Sequence, residues 1–184
     1  MTIKKDNAFH GTTIIGLRLN GKAAIAGDGQ VTLDDMIFKA GARKVRKIED
    51  HGVLVGFAGS AADGLALLQR FEEKLSEYNG NIPRAAVELA KDWRTDRYLR
   101  RLEAMIVVIS KDHSFILSGN GDVVEPDDGI CTIGSGSGYA LAAARAILSC
   151  KSAPKDPAEI VERSLKIAAD ICVYTNSNIS VLTL

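Results

Sequence analysis

The order of predicted secondary structure along this 184-residue chain constrains its fold more than any single motif does. Two blocks of short β-rich segments are each followed by a pair of helices, and a last strand closes the chain. Strand blocks joined by tight turns indicate antiparallel sheets covered by helices, whereas single strands alternating with single helices would have indicated a parallel sheet. We therefore predict a layered α+β sandwich, formed by one domain because a single core serves chains of up to roughly 250 residues.

The first block contains two predicted hairpins. Residues 12–19 are rich in β-branched side chains, the Asn-Gly dipeptide at 20–21 is typical of a type I′ turn, and residues 22–26 form the returning strand. Residues 44–48 and 53–58 form a second pair of strands in the same way. Four strands are therefore expected before the first helix.

Helical periodicity follows in both halves. Apolar residues recur at helical spacing from Ala62 to Leu75, after a capping-box sequence at 60–63, and Asn81 with Pro83 begins another helix. The second half repeats this order, with predicted strands at 104–110, 114–118, 122–125 and 130–133, helices that begin near Gly138 and at Asp156-Pro157, and a last strand at 179–184.

Composition excludes several classes of function. Lys plus Arg and Asp plus Glu both total 23, so the net charge is zero and no overall field attracts nucleic acid or an anionic membrane. No apolar run approaches the roughly 20 residues of a membrane span, and the N-terminus lacks a secretory signal. The three cysteines and three histidines show neither CxxC nor HExxH spacing, which argues against a disulfide framework and a catalytic transition metal. We expect a cytoplasmic protein.

The glycine-rich stretch at 134–138 leads from a predicted strand into a helix, as phosphate-binding loops do. It lacks the Gly-Lys-Ser/Thr of a Walker loop, and Tyr139 stands where G-x-G-x-x-G requires glycine. Because the sequence contains no ATP motif, any ATP-dependent function requires a separate ATPase. Ser135 is instead a candidate for orienting a catalytic amine.

The junction at Gly11-Thr12 carries the sharpest chemical signal. If the chain is cleaved there, the α-amine of Thr12 lies beside its own hydroxyl and, with a pKa near 7.7–8, can act as general base for that nucleophile. The alternative is that Thr12 is an ordinary strand residue. Removal of Met1 alone would expose Thr2, but its neighbours form no strand or motif, so we assign Thr2 no role.

Three further segments could complete such a site. Asp28 lies between glycines at the end of a strand, which favours close approach to another group or simply an Asp-Gly turn. Lys44 could lower the pKa of a nearby amine by like-charge repulsion while Asp28 holds it, or it belongs to a solvated basic run. Gly56 and Gly59 precede a helix, so their N–H groups are candidates for an oxyanion hole, with close packing as the alternative.

In combination these motifs resemble the HslV family, the proteolytic subunits of the bacterial HslUV ATP-dependent protease, which are related to proteasome β subunits and other N-terminal nucleophile hydrolases. The resemblance runs from Thr12 to about Asn178, and several motifs in fixed order are more specific than any one alone. The segments that carry it are 12–14, 25–30, 44–46, 56–59, 85–97, 119–124, 133–136 and 170–176.

The resemblance implies a four-layer αββα fold of N-terminal nucleophile hydrolase type and a threonine-type endopeptidase. It implies that residues 1–11 are a leader, released when Thr12 attacks the Gly11 carbonyl, and that residues 12–184 are the peptidase domain. The implied roles are Thr12 as nucleophile, its amine as base, Lys44 and Asp28 as the tuning charge pair, Ser135 as orienter, and Gly56 and Gly59 at the oxyanion site.

The resemblance also implies a bound cation and protein partners. In this family a sodium-like cation is held by backbone carbonyls at the positions of Ala169, Cys172 and Thr175, where the carbonyls of a helix end lack intrahelical partners. Ala169 departs from the glycine expected there, so the site requires a backbone that does not need positive φ. No organic cofactor is implied.

The implied partners are an HslU-type hexameric ATPase, stacked on a double ring of HslV hexamers, and unfolded or targeted proteins as substrates. Two alternatives remain at the level of sequence, namely an inactive ring subunit or scaffold, and a small-molecule amidase of the same nucleophile class.

Overall fold

The computed structural model of the protein describes residues 9–10, 12–33, 35–97, 99 and 104–184. The strands in these residues are β1 (Phe9–His10), β2 (Thr13–Leu19), β3 (Lys22–Gly27), β4 (Val31–Leu33), β5 (Met36–Lys39), β6 (Val45–Ile48), β7 (Val53–Gly59), β8 (Ala104–Ile109), β9 (Ser114–Ser118), β10 (Val123–Val124), β11 (Ile130–Gly134) and β12 (Ser180–Thr183). The α-helices are α1 (Ala61–Glu77), α2 (Ile82–Thr95), α3 (Ser137–Ser149) and α4 (Pro157–Ile171).

Two antiparallel sheets pack face to face at the centre of the molecule. Their strand orders are β10-β9-β8-β7-β6 and β11-β2-β3-β12. The inner faces share a buried apolar cluster that includes Ile14, Ile25, Val107 and Ile133. Since successive side chains of a strand point to opposite faces, each sheet also presents an outer apolar face that needs cover.

The helices cover these outer faces in two pairs. Helices α1 and α2 pack on the five-stranded sheet, where Phe71 and Trp93 are fully buried, and helices α3 and α4 pack on the four-stranded sheet around Ala144 and Leu165. The arrangement is a four-layer αββα sandwich, so the predicted fold is confirmed.

Local turn and cap signals act as the sequence predicts. Asn20 and Gly21 both adopt left-handed backbone, with φ of 52° and 72°, and join β2 to β3. The side chain of Asn81 accepts a hydrogen bond from the N–H of Arg84 and caps α2, and Asp156 caps α4 in the same manner. These side chains satisfy backbone donors that a helix start leaves without partners.

A small third sheet, of order β1-β4-β5, is the feature that sequence reasoning missed. The β5 side chains are all exposed, so no burial period marks that strand. The polar, aperiodic sequence of residues 1–11 predicts a leader that lies outside the fold, and this prediction is wrong for Phe9–His10, which pairs antiparallel with Thr32 and Leu33 of β4. Backbone pairing of this kind needs a free strand edge and no particular side chain. The other leader residues lie outside the described part of the chain.

Among the described residues, the structure has no helix that combines the length and apolar character required to cross a membrane.

Candidate active site

Thr12 lies immediately before β2 and is buried, with 4% of its surface exposed. Its carbonyl accepts a hydrogen bond from the backbone N–H of Ser135 at 3.0 Å. This close approach depends on Gly134, whose φ is +93° and whose absent Cβ would stand 1.9 Å from the Thr12 carbonyl oxygen. The turn between β11 and α3 therefore fixes the Thr12 backbone. Ser135 contributes this contact through its main chain, and the residue itself is exposed.

The buried carboxylate of Asp28, directly after β3, accepts hydrogen bonds from several segments of the chain. Its Oδ1 accepts from the N–H of Thr13 at 2.7 Å and from Lys44 Nζ at 3.3 Å. Its Oδ2 accepts from the N–H of Gln30 at 2.9 Å and of Asn176 at 3.2 Å. A simple Asp-Gly turn does not account for these contacts. The carboxylate instead connects Thr13, the neighbour of Thr12, to a buried ammonium group.

Lys44 is buried, unlike the adjacent basic residues Arg46 and Lys47, which are exposed. Besides Asp28, its ammonium group contacts the carbonyl oxygen of Gln30. Burial lowers the pKa of Lys44, and the attraction of Asp28 opposes that effect only in part. The alternative of a solvated basic run is therefore wrong for Lys44, while it describes its neighbours well.

Thr13 is a site residue that sequence reasoning left without a role. Its hydroxyl accepts from the N–H of Gly136 at 2.9 Å and lies 2.7 Å from the hydroxyl oxygen of Thr175. Its carbonyl accepts from the N–H of Asp28 at 3.2 Å. These partners are distant in sequence, and the only available signal was that all of them fall within the motifs of the resemblance.

The two glycines proposed for the oxyanion site occupy different environments. Gly56 lies in the middle of β7, where an added Cβ would stand 2.8 Å from Ile14 Cγ2 and 3.0 Å from Ile25 Cδ1. Close packing between the sheets therefore accounts for Gly56. Gly59 ends β7 with a φ of 109°, is exposed, and directly precedes Ser60, which caps α1. Gly59 therefore stays a candidate for the oxyanion site, and its role is a prediction.

The carbonyls predicted to bind a cation lie at the end of α4. Ala169 is in the last turn of that helix, so its backbone is helical and does not need the positive φ that would favour glycine. Cys172 follows the helix, and its carbonyl accepts from the N–H of Thr175 at 3.0 Å, which leaves one lone pair available. The helical backbone at Ala169 therefore tolerates alanine in place of the glycine expected there, and the cation site stays a prediction. The described residues contain no cluster of three or more His, Cys, Asp or Glu suited to a metal ion.

The comparisons with known proteins agree with this geometry. Residues 8–184 match the family model described as proteasome subunit. The chain belongs to the proteasome family. The "ATP-dependent protease subunit HslV" of Pseudothermotoga lettingae is 56% identical over 170 residues, which cover 92% of this chain and 96% of the relative.

A solved structure extends the likeness to three dimensions. The crystal structure of the eukaryotic HslV from Trypanosoma brucei matches with a TM-score of 0.88 at 43% identity, and the match covers 94% of this chain and 98% of that one. The resemblance to HslV expected from the sequence is therefore confirmed, together with the fold class.

Proposed function

We propose that this chain is the threonine-type protease subunit of an HslV-type ATP-dependent protease and that Thr12 is its nucleophile. Family membership and the identity to a protease subunit support the peptidase activity. One observation supports the assignment of the site above all others. A single oxygen, Asp28 Oδ1, binds both the N–H of Thr13 and the ammonium group of Lys44, which places a buried charge pair at the residue next to Thr12.

The proposed reaction uses a nucleophile and a base from one residue. Once the Gly11–Thr12 bond is cleaved, the α-amine takes the proton of the Thr12 hydroxyl as its oxygen attacks the substrate carbonyl. The peptide C–N bond then breaks, the leaving amine takes the proton, and an ester links the acyl group to Thr12. Water hydrolyses that ester, which regenerates the hydroxyl.

The charge pair has a definite task in this scheme. The ammonium group of Lys44 repels a proton on the Thr12 α-amine and so lowers the pKa of that amine, which keeps it in the neutral form that accepts a proton. Asp28 and the carbonyl of Gln30 hold the ammonium group in place. The N–H of Gly59 is the proposed donor to the oxyanion.

Release of the leader is proposed to use the same nucleophile. The Thr12 hydroxyl oxygen attacks the Gly11 carbonyl, and the Gly11–Thr12 C–N bond breaks as the acyl group moves from nitrogen to oxygen. The α-amine freed in this step takes the hydroxyl proton. Water then hydrolyses the ester, which releases residues 1–11 as a carboxylic acid and restores the Thr12 hydroxyl. The pairing of Phe9–His10 with β4 supports this step, because it anchors the leader backbone close to the bond that must break.

The proposed assembly is a double ring of hexamers with an HslU-type hexameric ATPase as partner. The relative is named an ATP-dependent protease subunit, and this sequence contains no ATP motif, so ATP hydrolysis needs another chain. Large apolar side chains on the surface support assembly, among them Phe38 with 63% and Val173 with 79% of their surface exposed. Unfolded or targeted proteins are the proposed substrates.

A sodium-like cation remains a proposal for the end of α4. The carbonyls of Ala169, Cys172 and Thr175 would hold it, and a bound monovalent cation would neutralise the negative end of the helix dipole there.

Replacement of Thr12 by Ala tests the assignment of the nucleophile. We expect Thr12→Ala to assemble as the wild type does by size-exclusion chromatography, to keep residues 1–11 by intact-protein mass, and to hydrolyse no peptide. Thr2→Ala is the matched control in the leader and should be processed and active. Peptide hydrolysis by Thr12→Ala, or a wild-type chain that is active with its leader attached, would refute the assignment.

A further inference from the structure

Two buried threonine hydroxyls meet next to the nucleophile residue. The hydroxyl oxygens of Thr13 and Thr175 are 2.7 Å apart, although the residues are 162 positions apart in sequence. Thr13 is fully buried and Thr175 is 4% exposed. Water therefore has little access to either group, and each hydroxyl depends on its protein partners.

Gly136, in the loop before α3, packs against both hydroxyl groups. The N–H of Gly136 donates to the Thr13 hydroxyl oxygen at 2.9 Å. A Cβ on Gly136 would stand 2.6 Å from that oxygen and 2.7 Å from the Thr175 hydroxyl oxygen, so only glycine fits. The beginning of β2, the loop before α3 and the segment after α4 thus converge on one hydrogen-bonded point.

Thr13 transmits this contact to Thr12 through a single peptide unit. The N–H of Thr13 is held by Asp28 Oδ1, and its carbonyl is held by the N–H of Asp28. These two bonds fix the backbone of Thr13. The hydrogen bond to the Thr175 hydroxyl restricts the rotation of the Thr13 side chain.

The segment after α4 holds the charge pair as well. Asn176, the next residue, donates its N–H to Asp28 Oδ2, and its side-chain oxygen accepts from the N–H of Gly29. Thr175 and Asn176 therefore contact both the neighbour of the nucleophile and the carboxylate that holds Lys44.

We propose that Thr175 is a positioning residue for the threonine protease reaction, whose hydroxyl fixes Thr13 and thereby sets the orientation of Thr12. The inference rests on the proposed function, since it takes Thr12 as the nucleophile. It concerns the hydroxyl of Thr175 and is distinct from the carbonyl of the same residue, which is the predicted cation ligand. A change of the side chain therefore tests the hydroxyl while the carbonyl stays in the chain.

The test compares Thr175→Val, which keeps the shape and removes the hydroxyl, with Thr175→Ser, which keeps the hydroxyl. We expect Thr175→Val to lower kcat for a fluorogenic peptide about tenfold or more, with KM within twofold, because a misplaced nucleophile slows the chemical step. Removal of the leader, followed by intact-protein mass, should slow as well. Thr175→Ser should keep kcat within about threefold of the wild type.

A double-mutant cycle with Thr13→Val separates positioning from a general structural effect. If the Thr175 hydroxyl acts only through the Thr13 hydroxyl, the second substitution has nothing left to disturb. The variant that carries both Thr13→Val and Thr175→Val should then lose no more activity than Thr13→Val alone. Size-exclusion chromatography and Tm of the assembled protein accompany each variant. If Thr175→Val does not assemble, Thr175→Ala takes its place in the same comparison with Ser.

Three results would overturn the positioning role: kcat of Thr175→Val within twofold of the wild type, failure of Thr175→Ser to retain activity, or losses that multiply in the double variant. Thr12→Ala, measured in parallel, keeps this outcome separate from the proposed function. An active Thr12→Ala removes the nucleophile assignment, whereas an inactive Thr12→Ala beside a normal Thr175→Val removes only the role of Thr175.

Discussion

Gly134→Ala is expected to reduce peptide hydrolysis strongly by moving Thr12, the proposed nucleophile. Gly134 holds a φ of +93°, which an L side chain rarely adopts, and its Cβ would stand 1.9 Å from the Thr12 carbonyl oxygen. Real Cβ atoms essentially never approach closer than 3.0 Å, so the two backbones must separate by more than about 1 Å. The opposing atom belongs to backbone and cannot rotate away.

The consequences can be estimated from that displacement. Separation stretches the 3.0 Å hydrogen bond from the N–H of Ser135 to the Thr12 carbonyl. A misplacement of about 1 Å at a reacting group costs roughly 100-fold in rate, so kcat should fall by about that factor. The backbone strain should cost about 1–3 kcal/mol, which lowers Tm by several degrees in a domain of this size.

The assay measures peptide hydrolysis, leader removal by intact-protein mass, and Tm on the same preparation. Gly138→Ala is the matched control, because an added Cβ there meets no atom within 4 Å and α3 gains a better helix former. Gly138→Ala should keep its activity and its Tm or raise the latter slightly. Wild-type kcat and Tm in Gly134→Ala would show that the turn does not fix Thr12.

Two further predictions concern the buried lysine and the outer core. Because burial lowers the pKa of Lys44, the unfolded chain holds a proton that the folded chain lacks at pH values between that lowered pKa and 10.5. The unfolding free energy of the wild type, measured relative to Lys44→Met, should therefore rise with pH across this interval, and a difference that falls with pH would contradict the burial effect. Trp93→Ala should lose about 3–5 kcal/mol because Trp93 is fully buried, whereas Val87→Ala on the same helix, at a position 41% exposed, should change stability by less than about 0.5 kcal/mol, as chemical denaturation would measure. A loss below about 1 kcal/mol for Trp93→Ala would show that the layer under α2 is loosely packed.

Much of the fold could be predicted because its signals are local. The Asn-Gly dipeptide at 20–21 forms a left-handed turn wherever it joins two strands, and Asn81 caps its helix through its own side chain. Periodicity then placed the helix pairs after the strand blocks. Strands β4 and β5 escaped prediction because they belong to a small sheet outside the two central ones, and the exposed side chains of β5 show no burial pattern.

The candidate site, like the fold, has features that the sequence reveals and features that it does not. The sequence alone selected Thr12, Asp28 and Lys44, because a threonine at a strand start, a carboxylate between glycines and a lysine at a strand start are recognisable as residue types in a fixed order. It left open whether Lys44 was buried or solvated. A run of basic residues does not reveal which one the packing of two sheets will enclose.

Only the tertiary structure decided how these residues are held. It buried Lys44 beside Asp28, set the Gly134 turn against the Thr12 carbonyl, and joined the hydroxyls of Thr13 and Thr175. These contacts link residues that are up to 162 positions apart, so no local period or propensity encodes them. They form when the αββα layers bring the start of β2 against the end of β3, the turn after β11 and the segment after α4.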